Sequence, residues 1–163
     1  MATYKTRFKF AGGASIDVYV AATAKLEKNF TFGEVTNKQA SDSIKLVLTP
    51  RMLKFASMVQ EFRDWYAKPM TVNSWYRTPS FNKACGGDAN SLHLDGLAMD
   101  WSVKHTPQQH KKMQDKWAEI CAAHLEIGGC NHYTNGYHLS IGEEKFGHTA
   151  FKVRDYRGKT GDW

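Results

Sequence analysis

The stretch of the chain richest in reactive side-chain types is residues 73–101, NSWYRTPSFNKACGGDANSLHLDGLAMDW. Within it His93 precedes Asp100 by seven residues. Gly96 permits a turn between the two, and Leu97-Ala98-Met99 is a buried-strand run that would deliver Asp100 at a fixed depth. Further on, Tyr137-His138-Leu139-Ser140-Ile141 has the pattern of a strand whose central histidine can point inward. Two histidines and one carboxylate from separate elements are the protein half of a catalytic zinc site, with the fourth position left to water. Zinc at such a place lowers the pKa of that water towards neutrality and polarises a carbonyl. Residue type and spacing alone leave a second reading open, because a histidine in an apolar strand also serves as a hydrogen-bonded core residue.

These side chains need elements to hold them. Tyr4, Phe8 and Phe10 alternate with Lys5, Arg7 and Lys9, and after Ala11-Gly12-Gly13 the residues Ile16, Val18 and Val20 alternate again. That predicts a hairpin with a basic outer face. Thr49-Pro50 is a helix start, and Met52, Phe55, Ala56, Val59, Phe62 and Tyr66 recur at helical spacing up to Lys68-Pro69. Thr106-Pro107 with Gln109 is a capping box. Met113, Trp117, Ile120, Cys121 and Leu125 form the apolar face of that second helix, with Gly128-Gly129 as its stop. A shorter helix is expected over 36–46, and strands around 70–74, 97–103, 136–141 and 150–154. Trp75, Trp101 and Tyr137 flank the reactive stretches, as cleft wall or as core. Helices and strands without a βαβ rhythm predict an α+β fold: a small, mostly antiparallel sheet packed against a few helices, with the zinc site in a cleft over the sheet.

The chain has 163 residues, 42% hydrophobic and 13% aromatic, which is enough to bury a core and excludes a disordered tail. We read it as one unit, with a hairpin extension over 1–22, a core over 25–142 and a C-terminal strand and tail over 143–163. Twenty-two Lys and Arg against 16 Asp and Glu give a net charge of +6, which favours an anionic partner. Lys152, Arg154, Arg157 and Lys159 would add to a basic surface. Three cysteines with no CxxC pair point to neither a disulfide framework nor a zinc knuckle. No run approaches the roughly 18 apolar residues of a membrane span, and the first residues carry no signal-peptide pattern. Synthesis in a cytoplasm, with no stable membrane insertion, is the expectation. No helix-turn-helix, zinc-finger spacing or aromatic RNA-binding strand is present, so nucleic acid is not an expected partner.

Ser74-Trp75-Tyr76-Arg77-Thr78, the run from Ser91 through Asp100, and the late strand histidine His138 together resemble a known pattern. It is that of the zinc D-Ala-D-Ala carboxypeptidases and L-alanyl-D-glutamate endopeptidases, peptidoglycan peptidases related in structure to hedgehog signalling domains. The likeness covers about residues 25–142. It implies that His93, Asp100 and His138 bind Zn2+, and that Arg77 clamps a substrate carboxylate beside Tyr76 with Ser91 donating a hydrogen bond nearby. A planar guanidinium suits that task, though Arg77 also reads as a cap on its turn.

Two positions depart from the pattern. Asn135 stands three residues before His138, where many members carry a Glu or Asp as general base, and Ser140 stands where one branch carries an aspartate. His132, in a GGCNHYTNG stretch read as a flexible loop, is the first candidate for the missing base, and Glu126 the second. The resemblance implies a monomeric zinc peptidase that cuts peptidoglycan stem peptides as a phage-type lysis enzyme, reaching the wall after release by a partner pore. The alternative is a non-catalytic, zinc-containing wall-binding or virion structural protein with a degenerate site.

Overall fold

The computed structural model describes residues 2–36 and 43–159. β1 (Thr3–Lys9) and β2 (Ser15–Ala21) form the expected antiparallel hairpin. Its outer face is less basic than the sequence suggests, because Arg7 is paired with Asp17 opposite it at 2.7 Å. β3 (Lys25–Glu27) and β4 (Phe30–Thr31) lead into the short α1 (Phe32–Val35), and β5 (Leu46–Leu48) then runs parallel to β1. Most of the helix expected over 36–46 lies outside the described residues, and its last residue, Leu46, opens β5 instead.

α2 (Pro50–Tyr66) begins where Thr49 accepts a hydrogen bond from the Met52 amide, as its sequence requires. β6 (Thr71–Ser74), α3 (Pro79–Ala84) and a 3-10 turn (Leu92–Asp95) follow, then β7 (Ala98–Ser102) and α4 (Pro107–Ala123). Both halves of the Thr106/Gln109 capping box are present. The chain continues through β8 (Gly128–Tyr133), β9 (Gly136–Ile141), a second 3-10 turn (Glu143–Phe146) and β10 (Lys152–Tyr156).

The main sheet has the order β10-β8-β9-β7-β6, with β10 parallel to β8 and every other pair antiparallel. The fold is α+β, as the pattern of elements predicts. One face of the sheet is covered by α2 and α4. Phe62 of α2 packs edge-on against Trp101 and Trp117 at 6.0 Å, and Trp101 stacks on Tyr137 at 5.5 Å. The Trp117 indole donates to the Ser140 carbonyl at 3.1 Å, tying α4 to β9. Trp75, Trp101 and Tyr137 are all fully buried, so they belong to the core.

Two expectations fail near residue 125, for one reason. α4 ends at Ala123, and Leu125 takes a left-handed backbone with φ 55° and is 93% exposed. The turn faces Glu126 inward instead, where its carboxylate meets Arg51 and Lys54 at 2.6 and 2.9 Å. Gly128-Gly129 therefore does not stop a helix; it opens β8. A Cβ at Gly128 would come within 2.3 Å of Cys121 Sγ, and one at Gly129 within 2.6 Å of Glu143 Oε1. The glycines let neighbours lie flat on the strand, and most of the stretch read as a flexible loop is the buried strand β8, with a turn only at Thr134-Asn135.

Candidate metal centre

His93 is held by main-chain atoms. It sits in the 3-10 turn that Ser91 caps, and Gly96, at φ 68°, closes that turn. The His93 Nδ1–H donates to the Trp75 carbonyl at 2.6 Å, and the Arg77 amide donates to the His93 carbonyl at 2.9 Å. The Trp75 indole in turn donates to the Gly96 carbonyl at 3.0 Å. The tautomer is thereby set, with the Nε2 lone pair free to point at a partner. Burial pushes the His93 pKa down, which favours the form that can ligate.

Asp100 and His138 arrive on adjacent strands. They are directly opposed in the β7–β9 ladder, on the face away from the two long helices. Asp100 Oδ1 accepts from His138 Nδ1 at 2.6 Å, and Oδ2 lies 3.1 Å from His93 Nε2. Burial opposes charge on Asp100, yet the two histidines beside it hold its carboxyl well below the usual range. One ligand atom from each of the three residues lies within 4.8 Å of the others. A bare imidazole lone pair facing a carboxylate oxygen at 3.1 Å is an arrangement that a cation relieves. Two histidine nitrogens and one carboxylate oxygen are also a donor set zinc takes in catalytic sites, so the residues fit the ion.

Residues 28–140 match the family described as Peptidase M15. The chain belongs to this family. It is therefore a zinc-dependent peptidase of the kind that acts on peptidoglycan. A search of curated proteins returned no match.

In this M15 peptidase the other sequence-predicted residues fall in different places. Arg77 stands beside the centre: its Nε donates to Ser74 Oγ at 2.9 Å and its Nη2 lies 3.4 Å from Asp100 Oδ2. Ser91 lines an open cleft of about 340 Å³ that His138 also lines. Tyr76 does not reach that cleft. It is buried and borders cavities with Val47 on the β5 side, because its amide is drawn to the Val35 carbonyl at 3.1 Å.

The structure removes His132 as the base. In β8 it pairs with Tyr137, whereas its neighbour Asn131 pairs with His138, so alternation turns the His132 ring to the helix face. There it stacks on His110 at 3.7 Å and on Tyr137 at 4.8 Å, and burial lowers its pKa to about 4. Glu126 is committed to Arg51 and Lys54 at the end of α4.

Among the cleft residues that sequence reasoning missed are Asn131, Glu143 and Arg154. Arg154, expected on a basic surface, turns over β8 and pairs with Glu143 at 3.0 Å. Arg157 likewise spends its charge on Asp155. Period-2 alternation along 152–156 would have put Arg154 on one face, but only the β10–β8 pairing shows which face that is.

Proposed function

We propose that the protein hydrolyses a peptide bond in peptidoglycan stem peptides, with His93, Asp100 and His138 as its zinc ligands. The observation that carries the reading is the main-chain tether on His93, which aims Nε2 at Asp100, itself opposed to His138. When bound there, zinc supplies an acidified water and a polarised scissile carbonyl. The chain's own groups do the rest. Asp100 carries the negative charge between the two rings, and Arg77 steadies that charge from the side. Arg77 is also our candidate for gripping a stem-peptide carboxylate, with Ser91 on the cleft wall beside the peptide. The phage-type lysis role is part of the same proposal, supported by a net charge of +6 that favours approach to anionic wall polymers.

Digestion of purified peptidoglycan, with and without a zinc chelator, tests this. Chelator-sensitive new amino termini, identified by mass spectrometry, are expected and would name the bond. A folded, zinc-loaded protein that releases none from walls of several chemotypes would instead favour the alternative of a non-catalytic wall-binding or virion structural protein.

A further inference from the structure

The cleft beside His138 has two carboxylates on its wall, Asp88 and Glu143. Asp88 is exposed and accepts from the Asn90 amide of its own loop at 2.6 Å. Glu143 is different. It is 1% exposed, Oε1 accepts from Ser140 Oγ at 2.8 Å and Oε2 accepts from Arg154 Nη2 at 3.0 Å. His148 lies 3.8 Å from Oε2 on the outer side.

Three positions of the sequence seat this one carboxylate. Ser140 follows His138 by two residues on β9 and so shares its face. Gly129, opposite Ser140, leaves the space that the Glu143 head occupies, since a Cβ there would lie 2.6 Å from Oε1. Arg154 reaches in from β10, opposite Asn131, and so stands in the row of His138 and Asp100. A buried ion pair is a poor way to stabilise a sheet, because desolvation consumes most of its attraction and apolar residues of like volume do as well. Glu143 and Arg154 both lie beyond the segment that matches the family. Burial opposes the charge on Glu143, but Arg154 and Ser140 keep its pKa below the usual value, so it is held in the proton-accepting form.

We propose that Glu143 is the proton acceptor of the hydrolysis, with Ser140 and Arg154 as positioning residues. This rests on the peptidase reading above. An O–H bond of the attacking water breaks and its proton passes to a Glu143 carboxylate oxygen. The water oxygen bonds to the scissile carbonyl carbon. The C–N bond then breaks, its electron pair stays on nitrogen, and Glu143 returns the proton there, giving a carboxylic acid and an amine. No redox partner enters.

The test measures kcat and KM on a soluble stem peptide, with zinc content and thermal unfolding recorded for each variant. Glu143→Gln is expected to lower kcat by about 10²–10⁴-fold. KM and zinc content should stay within about twofold, as for a group that acts in the transition state. Ser140→Asp added to Glu143→Gln puts a carboxylate at nearly the same place and should recover kcat by about tenfold or more. A zinc-loaded Glu143→Gln protein with kcat within about threefold of the parent overturns the proposal, as does a double variant with no gain. If Glu143→Gln does not fold, Arg154→Gln decides. It keeps the carboxylate and removes its cation, so the acidic limb of the kcat–pH profile should move to higher pH. An unmoved limb overturns the proposal. A parent chain that cleaves nothing overturns the peptidase reading and this one with it; a cleaving parent matched by Glu143→Gln overturns this one alone.

Discussion

Asp100 bridges both histidines: its Oδ1 lies 2.6 Å from His138 Nδ1 and its Oδ2 lies 3.1 Å from His93 Nε2. A single carboxylate thus sets the spacing of the whole donor set, and the β7–β9 register sets the carboxylate.

Asp100→Ala and His93→Ala should each abolish high-affinity zinc binding. Loss of an outer-shell partner alone costs about 10–100-fold in affinity, so loss of a ligand should exceed about 100-fold. Chelator competition measures this, with circular dichroism as the control for folding. Retained tight binding in either variant would sink the ligand assignment. In the parent, chelation should stop hydrolysis and added zinc restore it.

His132→Phe should leave hydrolysis at neutral pH within about twofold of the parent, since the ring lies on the helix face. It should also flatten the acid side of the stability profile. The folded pKa of about 4 lies below the ordinary 6.5, so between them the unfolded chain binds more protons. Stability therefore rises with pH across that window and is lost as the pH falls through it. His110 stacks on the same ring, with Asp155 and Arg157 acting on both, and its own lowered pKa keeps part of the dependence. Urea unfolding at several pH values checks both the sign and the reduction.

Gly136→Ala should destabilise the fold by about 1–3 kcal/mol, the usual cost of overpacking. Its Cβ would meet the Trp101 carbonyl oxygen at 2.0 Å, a backbone atom of the facing strand that cannot swing aside. A urea midpoint equal to that of the parent would show that β7 and β9 slide apart without cost.

A maleimide should label one thiol per native chain and three after denaturation. Cys85 is exposed, whereas Cys121 and Cys130 are buried, and burial pushes the Cys130 thiol up to about 12. Cys85→Ser should abolish native labelling; residual labelling would mean that the β8 region opens.

Much of the scaffold was legible because its signals are local. Thr49-Pro50 and Thr106-Pro107 start helices through contacts within four residues, and Gly96 turns the chain where φ must be positive. His93, Asp100 and His138 were legible as a pattern of residue types. What stayed hidden depends on who pairs with whom. Gly128-Gly129 looks like a turn until α4 and Glu143 are seen lying on it. The face of His132 is undefined until 128–133 is known to be a strand. Arg154 and Glu143 meet only because β10 runs parallel to β8, a pairing no local pattern announces.

The acceptor that orients His93 is the carbonyl of Trp75, not a side chain. No codon change at position 75 can delete that oxygen; only a change in the path of the loop can move it. The usual carboxylate partner of a ligating histidine is a separate mutational target, and here that target does not exist. The aim of this one ligand is therefore inherited with the path of the backbone rather than with a second side chain.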